Sequence, residues 1–289
     1  TFPTLASNCA PVTRIAVFYK EDGSTDTYFI PAELPVHTFI DTQIIAESPD
    51  EYFWAGIGDA FSKGPEVELS SREVELLHSP LMGRALAAGA CIEPLFDNAE
   101  QALVDKRSGV VSEAFENVVL NIIITAGVVS NMTTNIGAER GAYYFNSSTA
   151  HAFYNAFTAL GERGEKHLHG EVVSFGTCVL YAFDGNLKAL EEQVALNRKL
   201  GLPTTLADLD ITPESVDADL DIIVERAQKT NEWGRAPYGF TTDRFRQAIL
   251  DTDAYGRAVA SGEKDQETAA LDVIAAHAPS AETSVPRKM

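Results

Sequence analysis

The chain has 289 residues, 45% hydrophobic and 22% charged, and its 42 acidic against 22 basic residues leave a net charge of −20. This composition excludes a disordered, collagenous or coiled-coil chain, and so acidic a surface argues against general binding to nucleic acid or to an anionic membrane. Three cysteines, Cys9, Cys91 and Cys178, are too few for a disulfide framework and suit a reducing cytosol, and the longest apolar run, 118–129, is too short to span a bilayer and reads as a buried helix.

Residues 14–30 predict a β-hairpin: 14–19 is β-rich, 20–25 supplies a turn with Gly23 able to take positive φ, and 26–30 returns. Residues 36–41 predict a further strand. From Pro49 onward apolar residues recur every three or four positions, the period of helix. Ser70-Ser71-Arg72-Glu73 predicts a helix start in capping-box style, and residues 112–129 a long buried helix. Residues 186–200 predict a helix with Leu187, Leu190 and Val194 on one face and Leu196 and Leu200 on another, hence neighbours on two sides. Gly201 and Pro203 end it. Pro213 begins the next helix, and Thr242 opens one that runs to about Ala260. Residues 261–289 read as a polar, Ala/Ser-rich tail, frayed from Ser280 onward. Three strands within fifty residues cannot bury both faces of a sheet. The fold class expected is therefore an α/β remnant over 1–50, the end of a larger sheet, followed by an all-α domain over 51–260 and the tail.

Three of the six histidines fall within nineteen residues, at His151, His167 and His169. His151 lies in a helical pattern and His169 at a polar, Gly-marked turn, so a helix, a turn and a returning helix bring the two together. A two-histidine site for zinc or ferrous iron wants a carboxylate as third ligand, and Asp59, after the Gly56-Ile57-Gly58 turn, is the candidate. On the residues alone a second reading stands beside this one: Asp59 as a helix N-cap and His151 as a hydrogen-bonded core histidine. Gly56-Ile-Gly58 is not a dinucleotide fingerprint, for it lacks a third glycine and a preceding strand. The chain carries no Walker loop, nucleophile elbow or Cys-x-x-Cys pair.

Several separated motifs occur in a recognisable order: Pro3-Thr-Leu-Ala-Ser7, Asn8-Cys-Ala-Pro11, the hairpin, Ile40-Asp-Thr-Gln-Ile-Ile45, Ala55-Gly-Ile-Gly-Asp-Ala60, Ala150-His-Ala-Phe-Tyr-Asn155, His169-Gly-Glu-Val-Val-Ser-Phe-Gly-Thr177 and Gly201-Leu-Pro-Thr-Thr-Leu-Ala207. From residue 1 to about 260 the chain resembles the iron-containing alcohol dehydrogenase and glycerol dehydrogenase superfamily. Ser7-Asn-Cys-Ala-Pro11 and residues 96–103 look closest to its hydroxycarboxylate dehydrogenase branch. The resemblance implies a dehydroquinate synthase-like fold and an NAD- or NADP-dependent oxidoreductase, cytoplasmic and homo-oligomeric, acting on a small alcohol, 2-hydroxy acid or carbonyl. It implies one divalent metal, zinc or iron, held by Asp59, His151 and His169 and acting as a Lewis acid on the substrate oxygen. Where some members carry a further histidine four residues after the aspartate, this chain has Lys63, whose charge opposes a cation unless it points away. Tyr154 stands in place of the second histidine of the Ala-His-Ala helix. Thr4, Ser7, Thr13, Ile15 and Tyr19 match cofactor-contacting positions, and Cys9 takes the place of an aspartate that holds a polyol in glycerol dehydrogenases, which tilts the substrate toward a 2-oxo acid. The family's Gly-rich phosphate loop would lie upstream of residue 1, so the resemblance is to a dehydrogenase without the first part of its cofactor domain. Glycerol dehydrogenase is the alternative enzyme, and a non-catalytic structural relative is the alternative from another class.

Overall fold

A computed structural model describes residues 1–21, 23–29, 31, 33–135 and 142–279. The expected hairpin is present: β1 (Ala16–Tyr19) pairs antiparallel with β2 (Thr25–Phe29), and Gly23 sits at φ 76° in the turn. Asp22 and Ile30, which the hairpin reading included, and the tail end 280–289 lie outside the described residues. All of β1 is exposed, and Val17, Phe18 and Phe29 show apolar surface.

The strand expected over residues 36–41 does not form. Thr1 N donates to His37 O, Phe39 N donates to Thr1 O and Ile45 N donates to Asp41 O, so among the described residues no ladder develops. Asp41 instead caps α1 (Thr42–Glu47), its carboxylate accepting from Gln43 N at 3.0 Å and Ile44 N at 3.4 Å.

Helices then dominate: α2 (Asp50–Ser71), α3 (His78–Ala88), α4 (Glu93–Arg107), α5 (Glu113–Leu120) and α6 (Ala126–Thr133). A two-residue strand pair, β3 (Thr134–Asn135) with β4 (Tyr143–Tyr144), leads to α7 (Thr149–Phe157), α8 (Glu162–Lys166), α9 (His169–Asp184), α10 (Leu187–Leu200), α11 (Val216–Ala227), α12 (Thr242–Ser261) and α13 (Lys264–His277). The helix expected over 112–129 forms with Ser112 as the cap of α5, and a π turn at Asn121–Thr125 joins it to α6. The combined run Glu113–Thr133 is long and apolar enough by composition to cross a membrane. Here Phe115, Val118, Val119, Ile122 and Ile123 are buried in the core instead.

Ser70 and Ser71 do not start a helix. They end α2, because their buried hydroxyls find acceptors without leaving it: Ser70 Oγ donates to Phe145 O at 2.8 Å and Ser71 Oγ to Val67 O at 2.6 Å. Glu73, at φ 59°, lies just beyond. In α10 the two-sided reading holds: Leu190 and Val194 join Cys178 and Tyr255, whereas Leu196 and Leu200 join Phe53 and Phe115. The tail contains a helix that its composition hides. In α13 only Ile274 is fully buried, so the apolar period is faint.

Two large cores dominate. One gathers Phe153, Phe157, Phe175, Phe183 and Phe245 from α7, α9 and α12; the other gathers Phe53, Phe61, Leu95 and Phe115 from α2, α4 and α5. The candidate site lies where α2, α7 and α9 meet.

Candidate metal centre

Asp59 sits in the middle of α2, neither after a turn nor at an N-cap. The glycines around it serve close approach between helices. A Cβ on Gly58 would lie 2.4 Å from Gly170 O, and one on Gly170 would lie 1.8 Å from Ala55 O. Only residues without a side chain let α2 and the first turn of α9 touch backbone to backbone. That contact sets Asp59 beside His169, the first residue of α9. Gly176 does the same one step on, for a Cβ there would lie 2.6 Å from Ala150 O, and so seats α7 with His151 against α9.

His169 Nε2 lies 3.2 Å from Asp59 Oδ1, and His151 Nε2 lies 3.5 Å from the same oxygen. The three ligand atoms are all within 4.8 Å of one another. A metal with ligand bonds of about 2.0–2.1 Å in tetrahedral geometry has ligand atoms about 3.3–3.4 Å apart, so the two aspartate–histidine distances match edges of such a site. The chemistry also fits, with two imidazoles and one carboxylate converging on one point.

Glu66 is the functional residue that the sequence reading missed. It is seven residues after Asp59, on the same face of α2, and has no exposed surface. Its Oε1 accepts from Ser148 N at 2.8 Å and from His151 N at 2.9 Å, and its Oε2 is 2.6 Å from His151 Nδ1. Burial raises the Glu66 carboxyl, but His151 and the two backbone N–H groups outweigh it and hold it below its ordinary value. A carboxylate only accepts, so His151 Nδ1 carries the proton and Nε2 is left to face Asp59. Burial depresses His151, yet Glu66 and Asp59 together push it up to about 10. Burial likewise raises Asp59, and the two histidines reverse this and hold it well below the carboxylate range. The carboxylate–imidazole–carboxylate chain is the arrangement that orients a metal-binding histidine.

No family model matches the chain, but individual relatives do. It is 32% identical over 260 residues to a glycerol dehydrogenase from Escherichia coli O6:H1, covering 88% of this chain and 67% of that one. It is 28% identical over 254 residues to hydroxycarboxylate dehydrogenase A from E. coli K12, covering 88% and 67%. Among solved structures, a probable glycerol dehydrogenase from Sinorhizobium meliloti 1021 matches with a TM-score of 0.78 and 28% identity over 89% of this chain and 70% of that one. The chain belongs to the glycerol dehydrogenase family of the iron-containing alcohol dehydrogenases. It spans about two thirds of the length of the curated relatives it matches.

The triad opens on a cavity of about 180 Å³ whose lining includes Cys9, Thr13, Ile15, Tyr19, Lys63 and Tyr154. Three of the five expected cofactor positions, Thr13, Ile15 and Tyr19, therefore meet the site; Thr4 and Ser7 do not line it, Thr4 being exposed and Ser7 part-buried against α2 at Gly56. The Cys9 loop is seated on α6. Asn131 Nδ2 donates to Val12 O at 2.9 Å, and Gly127 leaves room for Val12, whose Cγ2 would be 2.0 Å from any Cβ there. Burial pushes the Cys9 thiol up, the Lys63 ammonium opposes the rise and the Asp59 carboxylate adds to it, so the neutral thiol is the form the cavity meets. Tyr154 sets its ring edge-on to His169 at 4.2 Å and places its hydroxyl 3.2 Å from that of Tyr19. Lys63 donates to Asn146, to Oδ1 at 2.7 Å and to the carbonyl at 3.3 Å, so its ammonium is held on Asn146 and not on Asp59 while its charge stays in the cavity lining.

Proposed function

We propose that the chain is a metal-dependent, NAD(P)-linked oxidoreductase that interconverts a small alcohol or 2-hydroxy acid and its carbonyl, with Asp59, His151 and His169 as the ligands of one divalent ion. The observation that carries the reading is the spacing of the three donor atoms, with Glu66 holding His151 in the tautomer a metal needs. When bound, a zinc or ferrous ion there supplies Lewis acidity toward the substrate oxygen. The residues of the chain do the rest: His151 presents Nε2 because its Nδ1 is tied to Glu66, and Cys9, Thr13, Ile15 and Tyr19 form the wall toward substrate and nicotinamide. The hydroxyls of Tyr154 and Tyr19 make a hydrogen-bonded step from the buried site to the exposed hairpin. This reading keeps the dehydroquinate synthase-like architecture, with 1–50 as the closing part of a cofactor domain, 51–260 as the metal domain and 261–289 as its C-terminal extension. Glycerol is the second substrate reading, favoured by the 32% identity to a glycerol dehydrogenase.

Metal analysis of protein purified without chelator, followed by alcohol oxidation with NAD and NADP, tests the proposal. One divalent ion per chain, lost in Asp59→Ala and His169→Ala variants, is the expected result. No uptake of zinc or ferrous iron by wild-type protein would overturn it.

A further inference from the structure

We propose that Lys63 is the carboxylate receptor of the cavity, so that the chain selects 2-hydroxy and 2-oxo acids over neutral polyols; the inference rests on the oxidoreductase reading above. Lys63 follows Asp59 by four residues on α2, which puts both on one helix face about 5–6 Å apart at Cβ, and both line the cavity. It is 5% exposed, and its ammonium has Asn146 as its hydrogen-bond partner, through Oδ1 and the carbonyl. No carboxylate lies within ion-pair distance of it among the described residues. Lys106 supplies the contrast within the same fold. It is equally buried, at 2% exposure, and takes the Asp50 carboxylate at 3.2 Å together with the carbonyls of Ala46 and Ser48. A buried ammonium without an anion is costly, and Lys63 keeps a third N–H to spend.

Charge balance points the same way. Asp59 and Glu66 match the charge of a divalent ion, and Glu232, buried behind the cavity wall, is bonded by Tyr144, Ser147 and Asn155 and makes no ion pair with Lys63. Cys9, Asn8, Ser130 and Asn146, which also line the cavity, are neutral. A 2-hydroxy acid carries its hydroxyl and its carboxylate on adjacent carbons, so one end can reach the triad while the other reaches an ammonium one helical turn away. A polyol would leave that ammonium unmatched, and a site built to pair a polar group discriminates strongly against an analogue that lacks it.

Lactate and 1,2-propanediol differ only in carboxylate against hydroxymethyl and form the test pair. With zinc-loaded wild-type protein, calorimetric binding and kcat/KM should both favour lactate by about tenfold or more. Lys63→Met should bring the ratio close to one, and Lys63→Arg should keep part of it. Asn146→Asp keeps the lysine paired and the fold filled while neutralising its charge; it too should lose the preference, and so guards against a misfolded Lys63→Met. A wild-type protein that oxidises propanediol without preferring lactate, or an Asn146→Asp variant with the wild-type ratio, would overturn the role of Lys63 alone. Should wild type oxidise neither compound, binding alone decides the role of Lys63: lactate bound no more tightly than propanediol would overturn it, while zinc or ferrous iron uptake separately decides the metal reading.

Discussion

Replacing Glu66 by glutamine tests the tautomer argument with the least disturbance of shape. The carboxylate accepts three hydrogen bonds, from two backbone N–H groups and from His151 Nδ1. In Glu66→Gln the amide oxygen can keep both backbone donors, which turns the amide NH2 toward Nδ1. Nδ1 must then accept, the imidazole proton moves to Nε2, and the nitrogen that faces Asp59 loses its lone pair. Loss of such an outer partner lowers metal affinity by about 10–100-fold, or roughly 1.4–2.8 kcal/mol. The metal-free protein also loses a charge-assisted hydrogen bond, about 1.5–3 kcal/mol, which corresponds to roughly 2–5 °C in Tm for a chain of this size. Glu66→Ala should be worse on stability, because three buried donors lose their acceptor. The assay is a zinc titration against a competing chelator, with melting curves recorded with and without metal. A metal-induced rise in Tm that is smaller than in wild type, alongside a folded metal-free protein, is the expected result. Wild-type zinc affinity in Glu66→Gln would refute the claim that Glu66 sets the tautomer of His151.

Gly170→Ala should separate α2 from α9 where Asp59 meets His169, since its Cβ would lie 1.8 Å from Ala55 O; melting should show a loss of about 1–3 kcal/mol or more, with weaker metal uptake. Gly89→Ala, whose Cβ meets nothing within 4 Å, is the control and should leave metal uptake unaltered. Cys9→Asp adds a carboxylate that accepts polyol hydroxyls and repels an anionic substrate, so the ratio of kcat/KM for glycerol to that for a 2-oxo acid should rise; an unchanged ratio would count against Cys9 as a substrate contact. In metal-free protein His151 is raised to about 10, above its unfolded value near 6.5. Its stabilising contribution is therefore complete below about pH 6.5 and lost as pH rises through 10, and metal-free Tm should fall over that window. A metal must displace the His151 proton, so zinc affinity should weaken as pH falls from 9 to 6, with about one proton released per ion in a pH-stat titration; pH-independent uptake would exclude His151 as a ligand.

How much of this was legible in the sequence depends on whether the deciding interaction is local. The long helices follow from apolar residues at a 3.6 period, and the ends of α10 follow from Asn186 and Gly201 because caps act within a few residues. The strand expected over residues 36–41 failed because strand pairing needs a partner that the local pattern does not name. Ser70 and Ser71 misled because a hydroxyl that caps one helix can equally bond a carbonyl inside another, and Phe145, 75 residues away from Ser70, decided which.

The same division runs through the site. Motif order, through the resemblance to the family, put Asp59, His151 and His169 in one set; the residue types alone left a helix cap and a core histidine open beside it. Tertiary structure alone decided how they meet, since Asp59 and His169 are 110 residues apart and touch only because Gly58 and Gly170 let two helix backbones close on each other. Glu66 was invisible as a site residue because a carboxylate on a helix face is ordinarily solvated; its burial and its three donors come from α7. Lys63 read from sequence as a charge opposed to a metal. Asn146, 83 residues on, turns its ammonium aside and leaves it as an unmatched positive charge in the cavity, a consequence of packing that no local pattern encodes.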